Sequence, residues 1–380
     1  MAIRLDERTI RKLLIVGVGS SAGIHLLRQV VYKAPEIMFN NELFLVETSK
    51  DVFELTVHNL YRIYKSVYEK LDKDQKTEYP LPHQFKDKLL TTHNALLHTK
   101  GGATQPERGL NYFREKKAEV LNKIDRIMME NNLTGVVIIG NAGKGTGTLV
   151  TPELVNSLRD MYEVVFGFLS LPLRLNRTEK FNAAKALVYI KDNRIPVFLL
   201  DYERAKEIYE YQHGLKTTKV RLGEIYREVI EPLSLALSIV IKTLNYAEYC
   251  TSPIDWSDFR TLFEIEGVGT LAYVNTNNEE TFLKKWKRDI EHQIFLKTKS
   301  VPREASVITI LQSSTDVPYE LAEDISMYFA KRYNAREMNS LYTLMYGQGY
   351  NMVSFISGFS VDAIEPSIIE KGWLSKLRGY

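Results

Sequence analysis

The chain has 380 residues, of which 44% are hydrophobic and 26% are charged, as in ordinary globular proteins. This length accommodates two domains of common size, or one large α/β domain with an appendage. The formal net charge of +3 gives no support to a nucleic-acid coat or a polybasic membrane anchor. The single cysteine, Cys250, excludes an internal disulfide framework and is typical of a reducing compartment.

Membrane insertion and secretion are not favoured by the apolar runs of the chain. No stretch approaches the roughly 20 apolar residues that cross a bilayer. The first apolar run has only about six residues before its glycines, which is short for the core of a signal peptide. We therefore expect a cytoplasmic protein without a transmembrane segment.

Strand-like apolar runs alternate with helical periodicity through residues 1–200. The strand-like runs are KLLIVGVG, ELFLVET, GVVIIGN, VVFGFLSL and PVFLL. This alternation predicts a parallel, Rossmann-like sheet with helices on both faces. Residues 52–97 form a long connection in which the spacing predicts a helix, a break at YPLPHQ and a second helix over residues 84–97.

Residues 217–247 predict one long helix that is apolar on most sides in its second half, which is typical of a helix at the centre of a protein. A second series of predicted strands and helices begins after residue 260. Four more strands and two helices predict a second, smaller α/β unit with its own sheet. The strands are TLAYVN, SVITILQSS, SLYTLMYG and NMVSFISGFS, and the helices cover residues 279–295 and 318–332.

Glycine-bearing turns follow the predicted elements at residues 17–23 (GVGSSAG), 100–109 (KGGATQPERG) and 140–148 (GNAGKGTGT). The last turn is not a P-loop, because Gly145 follows Lys144 and Ile138 stands where the first glycine of that motif belongs. One pyrophosphate needs one such turn. Three turns indicate a triphosphate surrounded by backbone N–H groups and helix N-termini.

The first turn also fits two other patterns. Gly17, Gly19 and Ala22 match the dinucleotide fingerprint G-x-G-x-x-G/A, with Glu47 where an acidic residue would hold a ribose. Gly19, Ser21 and Gly23 match the nucleophile elbow G-x-S-x-G, but no obvious Asp and His pair follows downstream. An NAD(P)-dependent oxidoreductase is therefore the first alternative.

The segment GNAGKGTGTLVTP resembles the signature G-G-G-T-G-[TS]-G, followed by a proline, of the FtsZ and tubulin superfamily of polymerising GTPases. The matching residues are Gly143, Gly145, Thr146, Gly147, Thr148 and Pro152. The chain departs from the signature at Lys144 and Leu149, both normally glycine. The turn at 17–23 matches the family's first loop, and GGATQPERG resembles the loop that holds the γ-phosphate.

The resemblance implies that the chain binds GTP and GDP with Mg²⁺. It implies contacts to the nucleotide from Gly17, Gly19, Ser20, Ser21, Glu47, Gly101, Gly102, Ala103, Thr104, Gly143, Lys144, Gly145, Thr146, Gly147 and Thr148. The segment ETS at residues 47–49 is a weaker match to the Asn-Thr-Asp of FtsZ. The seven histidines show no metal-ligand spacing, so no metal site made of protein ligands is predicted.

The segment SPIDWSDFRTLF at residues 252–263 resembles the FtsZ activating loop N-x-D-F-x-D-V. Asp255 and Asp258 match its acidic residues, and Pro253 replaces its asparagine. Two carboxylates at this spacing lie on one face of a helix and can polarise a water molecule. In the family they act in the nucleotide pocket of the next subunit. The alternative is that these residues only cap a helix.

Three residues are candidates for reading guanine, whose N1–H and amino groups are donors to a carboxylate. Tyr226 and Glu231 match the aromatic and acidic residues near the start of the central helix of FtsZ. Asp201 falls where FtsZ has an asparagine. Each of them is alternatively a solvated helix residue.

The resemblance covers nearly the whole chain and implies a divergent member, similar to plasmid- or phage-type TubZ or archaeal FtsZ-like proteins. It implies head-to-tail homopolymers with GTP hydrolysis coupled to assembly, in cell division, DNA segregation or cell shape. A scaffold that binds nucleotide without hydrolysis is the second alternative, motivated by Lys144, Leu149 and Pro253. The predicted parts are a GTPase domain (1–216), a central helix (217–250), an activation domain (251–362) and a tail helix (363–380).

Partners other than the chain itself are predicted only for the tail. Its apolar residues recur at helical spacing and predict docking on the protein's own body or a neighbouring subunit, with an adaptor or a membrane surface as alternatives. The run KKWKR at residues 284–288 is interpreted as a solvated helix face, because the opposite positions supply a packing stripe. No direct contact with nucleic acid is expected.

Overall fold

The computed structural model describes residues 11–19, 24–102, 104–173, 177–212, 230–245, 256–276, 278–313, 318–346 and 349–364. The chain divides into two compact units, Met1–Leu169 and Ser170–Tyr380. The fold is the predicted α/β class, with parallel strands and flanking helices. The boundaries of the GTPase domain, central helix, activation domain and tail remain predictions.

The first unit contains a parallel sheet in the order β3-β2-β1-β4-β5. Its predicted strands are confirmed, and β1 and β4 are buried along their whole length, because helices cover both faces of such a sheet. The strands are β1 (Leu13–Val18), β2 (Glu42–Glu47), β3 (Asn94–Leu96), β4 (Gly135–Asn141) and β5 (Val165–Leu171). The helices are α1 (Ile24–Lys33), α2 (Ile37–Asn40), α3 (Lys50–Tyr68), α4 (Lys73–Glu78), α5 (Pro82–Thr91), α6 (Pro106–Glu130) and α7 (Gly145–Leu158).

The long connection over residues 52–97 contains one element that the sequence pattern misses. The predicted second helix ends at Thr91, and the short strand β3 follows it. β3 pairs in parallel with β2, with Asn94 opposite Leu45, and becomes the edge strand. A strand of three residues is too short to show an alternating pattern, so the sequence predicts that the second helix continues through it.

The second unit contains a mixed sheet in the order β6-β7-β10-β8-β9, in which β10 is antiparallel to both neighbours. Helix α10 is buried over most of its described length, as predicted for the second half of the long helix. The strands are β6 (Phe198–Asp201), β7 (Val268–Thr276), β8 (Ala305–Ser313), β9 (Ala335–Tyr346) and β10 (Tyr350–Phe359). The helices are α8 (Arg177–Asp192), α9 (Tyr202–Gln212), α10 (Ile230–Asn245), α11 (Trp256–Glu264), α12 (Glu279–His292) and α13 (Tyr319–Tyr333).

Residues 365–380, most of the predicted tail helix, lie outside the described residues. None of the helices in the described part of the chain is long and apolar enough to cross a membrane.

A charged cluster joins the α5–β3 segment to the start of the neighbouring strand β2. Lys88 Nζ lies 2.7 Å from Glu42 Oε2, and Nε2 of the buried His93 lies 3.2 Å from the same oxygen. Burial alone would raise the pKa of Glu42, but the neighbouring His93 and Lys88 side chains hold it below its ordinary value. The ionised carboxylate is therefore favoured in the folded state.

We expect Glu42→Gln to lower the free energy of unfolding by about 1.5–3 kcal/mol near neutral pH, the value of a hydrogen bond to a charged group. This contribution is complete above the unfolded pKa of glutamate, about 4.3, and is lost as pH falls through the lower folded pKa. Urea unfolding should therefore separate the two proteins near neutral pH and bring them together in acid. Glu54→Gln is the control, because its pair with Lys50 is exposed on both sides. Equal losses in the two variants would contradict a role for the cluster.

Candidate functional site

A cavity of about 230 Å³ opens in the first unit at the carboxyl edge of its sheet. Val18, Glu47 and Asn141 are the last residues of β1, β2 and β4, and all three line it. Ligands of open parallel sheets bind at this edge. The lining consists of Val18, Gly19, Glu47, Thr48, Ser49, Lys100, Gly101, Gly102, Thr104, Asn141, Lys144, Gly145, Thr146 and Gly147.

The three predicted glycine turns meet at this cavity in direct contact. Gly19 has a φ of +74°, and a Cβ there would lie 2.7 Å from the backbone N of Gly147. A Cβ on Gly109, at the start of α6, would lie 2.9 Å from the carbonyl oxygen of Gly145. The glycines therefore allow the backbones to approach more closely than any side chain permits.

If the turns hold GTP as the sequence predicts, Gly109→Ala should weaken binding of a fluorescent GTP analogue by about ten-fold, because the added methyl group pushes α6 away from Gly145. Overpacking of this kind costs about 1–3 kcal/mol. Asn111→Ala, at an exposed position of the same helix, is the control and should bind like the wild type. Wild-type affinity in Gly109→Ala would show that close contact between the turns is not required for binding.

A buried network of carboxylate and hydroxyl groups forms the floor of the cavity. Oε1 of Glu47 accepts hydrogen bonds from the backbone N–H groups of Thr48 and Ser49, at 2.7 and 3.2 Å, and from Thr146 Oγ1 at 3.2 Å. The hydroxyls of Thr48 and Thr146 are 2.7 Å apart. Thr48 Oγ1 also accepts the N–H of Gly102 at 2.9 Å. The network links the end of β2, the 100–109 turn and the start of α7.

The second oxygen of Glu47 is the unusual atom of this network. The residue is only 2% exposed, and Oε2 has no hydrogen-bond partner among the described residues. Burial raises the pKa of Glu47, although the amides of Thr48 and Ser49 and the hydroxyls of Thr146 and Thr48 oppose the shift. A buried carboxylate oxygen without a partner costs free energy. A cation or a hydrogen-bond donor bound at this atom would therefore stabilise the site.

The amino end of α7 supplies the positive side of the cavity. Helix α7 begins at Gly145, with Lys144 in extended conformation at its N-cap. Its first backbone N–H groups have no partner within the helix, and its dipole favours an anion at this end. Lys100 and Lys144 add side-chain charge to the same lining. The arrangement suits a polyphosphate, and among the described residues of the lining only Glu47 carries a carboxylate.

The structure places most of the predicted phosphate-binding residues in this cavity. It brings together Gly19, Glu47, Gly101, Gly102, Thr104, Lys144, Gly145, Thr146 and Gly147. Three other predicted residues that the structure describes do not line the cavity. Gly17 lies within β1, Gly143 donates its N–H to Asn141 Oδ1 at 2.6 Å, and Thr148 Oγ1 donates to the carbonyl of Lys144. Ser20, Ser21 and Ala103 lie outside the described residues.

Sequence reasoning missed several residues of the lining. Ser49, Lys100, Asn141 and, above all, Thr48 contribute to the cavity without having been named as ligand contacts. Lys100 and Asn141 lie inside predicted glycine turns, and Thr48 and Ser49 belong to the ETS segment at residues 47–49. Position at a strand's carboxyl end was the signal that would have found Thr48 and Asn141.

The remaining predicted residues belong to the second unit. Asp258 is half-buried in the first turn of α11, and Glu231 lies in the first turn of the described part of α10, lining a cavity that also contains Tyr273. Asp201 is buried, and its Oδ1 accepts the N–H of Glu203 at 2.9 Å, so it caps α9. Tyr226, Pro253 and Asp255 lie outside the described residues. Roles for Asp201 and Glu231 in reading guanine stay predictions.

Comparison with known proteins identifies similar sequences and folds, although no protein-family model matches the chain. The cell division protein FtsZ of Aquifex aeolicus is 21% identical over 230 residues, which span 59% of this chain and 57% of that protein. The chain thus spans little more than half the length of this curated relative.

Two solved structures share the fold over nearly the whole chain. CetZ2 from Haloferax volcanii, a protofilament with GTPγS bound, matches with a TM-score of 0.66 at 15% identity, covering 97% of this chain and 98% of that one. TubZ of the Clostridium botulinum phage c-st matches with a TM-score of 0.54 at 12% identity, covering 98% and 99%. The predicted architecture is thereby confirmed.

Proposed function

We propose that this divergent member of the FtsZ/tubulin superfamily is a cytoskeletal GTPase that binds GTP and GDP in the cavity of its first unit. The observation that carries the proposal is the convergence of three glycine turns on the amino end of α7, at the carboxyl edge of a parallel sheet. The lysines, the hydroxyls and the backbone N–H groups at the start of α7 bind the phosphate oxygens. Glu231, Asp201 and Tyr226 are the proposed guanine contacts.

Mg²⁺ is the proposed partner of the phosphates. Among the described residues no group of three His, Cys, Asp or Glu side chains could hold a metal by itself. Mg²⁺ usually binds through one or two carboxylates together with substrate phosphates. The unpartnered Oε2 of Glu47 fits such an ion, with the hydroxyls of Thr48 and Thr146 beside it. The ion would neutralise phosphate charge near Glu47.

The proposed mechanism needs two copies of the chain. Asp255 and Asp258, in the activating loop and α11, orient and polarise a water molecule at the γ-phosphate held by the next subunit. Head-to-tail stacking of this kind does not close on itself, so it produces filaments. Hydrolysis then follows assembly. The likeness to the CetZ2 protofilament supports this arrangement. The role that we propose for the filament is in cell division, DNA segregation or cell shape, in the cytoplasm. Residues 363–380 are the proposed site for an adaptor.

Phosphate release measured against protein concentration tests this function. The rate per molecule should be near zero in dilute protein and rise steeply above a threshold at which light scattering detects filaments. A constant rate per molecule at all concentrations would overturn the two-copy mechanism. A thermal-shift comparison separates the dehydrogenase alternative, because stabilisation by NAD and none by GTP would end the GTPase proposal.

A further inference from the structure

The turn that follows β3 is held in place through three consecutive backbone N–H groups. Nδ1 of His98 accepts the N–H of Lys100 at 3.1 Å. Thr48 accepts the next two, from Gly101 at its carbonyl oxygen (3.1 Å) and from Gly102 at Oγ1 (2.9 Å). Because these three donors are already engaged, this stretch offers a ligand the side chain of Lys100 rather than its own amides.

The imidazole of His98 is itself fixed by an aromatic contact. It stacks on the ring of Tyr112, with the two centroids 4.2 Å apart and the two planes within 5° of parallel. Tyr112 is a half-buried residue of α6. Because Nδ1 accepts a hydrogen bond, the ring carries its proton on Nε2 in this arrangement. His98 therefore connects the turn that contains Lys100 to α6.

The residue that His98 holds lies on the wall of the nucleotide cavity. Lys100 is exposed, lines the cavity and makes no ion pair with any residue that the structure describes. In the proposed function a cation binds at Oε2 of Glu47, and metal ions in nucleoside triphosphate sites bridge the β- and γ-phosphates. Thr48 follows Glu47 directly and accepts from the same turn, so the terminal phosphate would lie on the side of the cavity where Lys100 stands.

We propose that His98 is a positioning residue that lets this site distinguish GTP from GDP. By accepting the amide of Lys100, it keeps the ammonium group of Lys100 at the place of the terminal phosphate, which GTP has and GDP lacks. A charge-assisted hydrogen bond from Lys100 then adds to the affinity for GTP and not to that for GDP. His98 acts through Lys100 and does not touch the nucleotide. The inference rests on the proposed function, because it assigns one role within the same cavity.

Two substitutions separate the parts of the His98 side chain. His98→Phe keeps an aromatic ring to stack on Tyr112 but removes the acceptor, whereas His98→Asn gives up the ring and places an amide oxygen where Nδ1 stands, one bond beyond Cγ. In nucleotide-free protein, amide exchange in residues 98–102 should be about five-fold faster in His98→Phe than in the wild type, as for the loss of one hydrogen bond. His98→Asn should restore most of the protection. Equal exchange in His98→Phe and the wild type would overturn the positioning role, whatever the protein binds.

Nucleotide preference is measured by competition of GDP and a non-hydrolysable GTP analogue against fluorescent GDP, at a protein concentration below the assembly threshold. Lys100→Gln should weaken binding of the GTP analogue by about ten-fold and leave GDP unchanged, because it removes a contact to the terminal phosphate only. His98→Phe should show the same selective loss, of about five-fold, and His98→Asn a smaller one. A defect in folding would weaken both nucleotides, so a change in their ratio reports on the position of Lys100.

Lys65→Gln is the matched control, since it removes the same charge from an exposed position on α3, where Lys65 pairs with Glu69. It should leave both affinities and the exchange of residues 98–102 unchanged. Equal losses of both nucleotides in Lys100→Gln or His98→Phe, or an unchanged ratio of the two affinities, would contradict the inference while nucleotide binding stands. Wild-type protein that binds neither nucleotide would overturn the proposed function and, with it, this role for His98.

Discussion

An equimolar mixture of Asp258→Asn and Thr146→Val chains is expected to hydrolyse GTP at about a quarter of the wild-type rate, although each variant alone is nearly inactive. Asp258→Asn keeps the phosphate site but loses a carboxylate that polarises water, a loss of about 100-fold or more. Thr146→Val keeps that carboxylate but loses a hydroxyl that contacts both Glu47 and Thr48 in the cavity floor. In a randomly mixed filament, about one interface in four joins an intact pocket to an intact aspartate.

Phosphate release at a protein concentration well above the assembly threshold measures this complementation. Asp324→Asn is the control, because that aspartate lies on the exposed face of α13 and pairs only across the surface with Lys287. Assayed by itself, Asp324→Asn should release phosphate at the wild-type rate. A mixture no more active than the mean of its two components would show that catalysis does not use residues from two chains.

Glu47→Gln is expected to weaken GTP binding by about 10- to 100-fold in the presence of Mg²⁺, the range found when groups that support a metal are removed. The expected result reverses when the metal is chelated. Without Mg²⁺ the wild-type carboxylate repels the phosphates, so the glutamine variant should bind GTP at least as tightly as the wild type. Isothermal titration with and without a chelator measures both affinities.

Asp51→Asn is the control for this experiment. Asp51 is an exposed carboxylate in the first turn of α3, and it lies close to Glu47 in the sequence. It should leave both affinities unchanged. Mn²⁺ binding, followed by its paramagnetic resonance in the presence of GTP, provides a readout that does not depend on turnover. If Glu47→Gln weakens binding equally with and without metal, the carboxylate supports the fold of the loop and holds no cation.

The architecture was predictable from sequence because its central strands are continuous apolar runs. β1 and β4 are buried on both sides, so their sequences contain little but apolar residues and glycine. The short strand β3 was missed because three residues are too few to show the alternation of apolar and polar residues that marks a strand. The helix predicted over residues 84–97 therefore includes β3, whereas α5 ends at Thr91.

Most residues of the candidate site were predictable from sequence, but the contacts between their side chains were not. Glycines at 19, 101, 102, 145 and 147 were identified from the predicted turns, and a Cβ on Gly19 or Gly147 would lie 2.7 Å from a backbone atom of another turn or strand. The role of Thr48 depends on a hydroxyl contact with Thr146, 98 positions away, which no local pattern reveals. The same is true of the unpartnered oxygen of Glu47.

One departure from the family signature has a structural explanation. Leu149, which stands where the signature has glycine, is buried within α7 and contributes to the core of the first unit. Lys144, the other departure, lines the cavity at the N-cap of the same helix. The two replacements therefore affect different properties, packing in one case and charge at the ligand in the other.

The phosphate loops all belong to the stretch Met1–Leu169, whereas Asp258 belongs to Ser170–Tyr380. Mutations that accumulate in one stretch can therefore leave the chemistry carried by the other intact. In the proposed mechanism, a change near Asp258 would end turnover while the cavity of the other stretch could still hold a nucleotide. Nucleotide binding and hydrolysis could then be lost independently of one another during evolution.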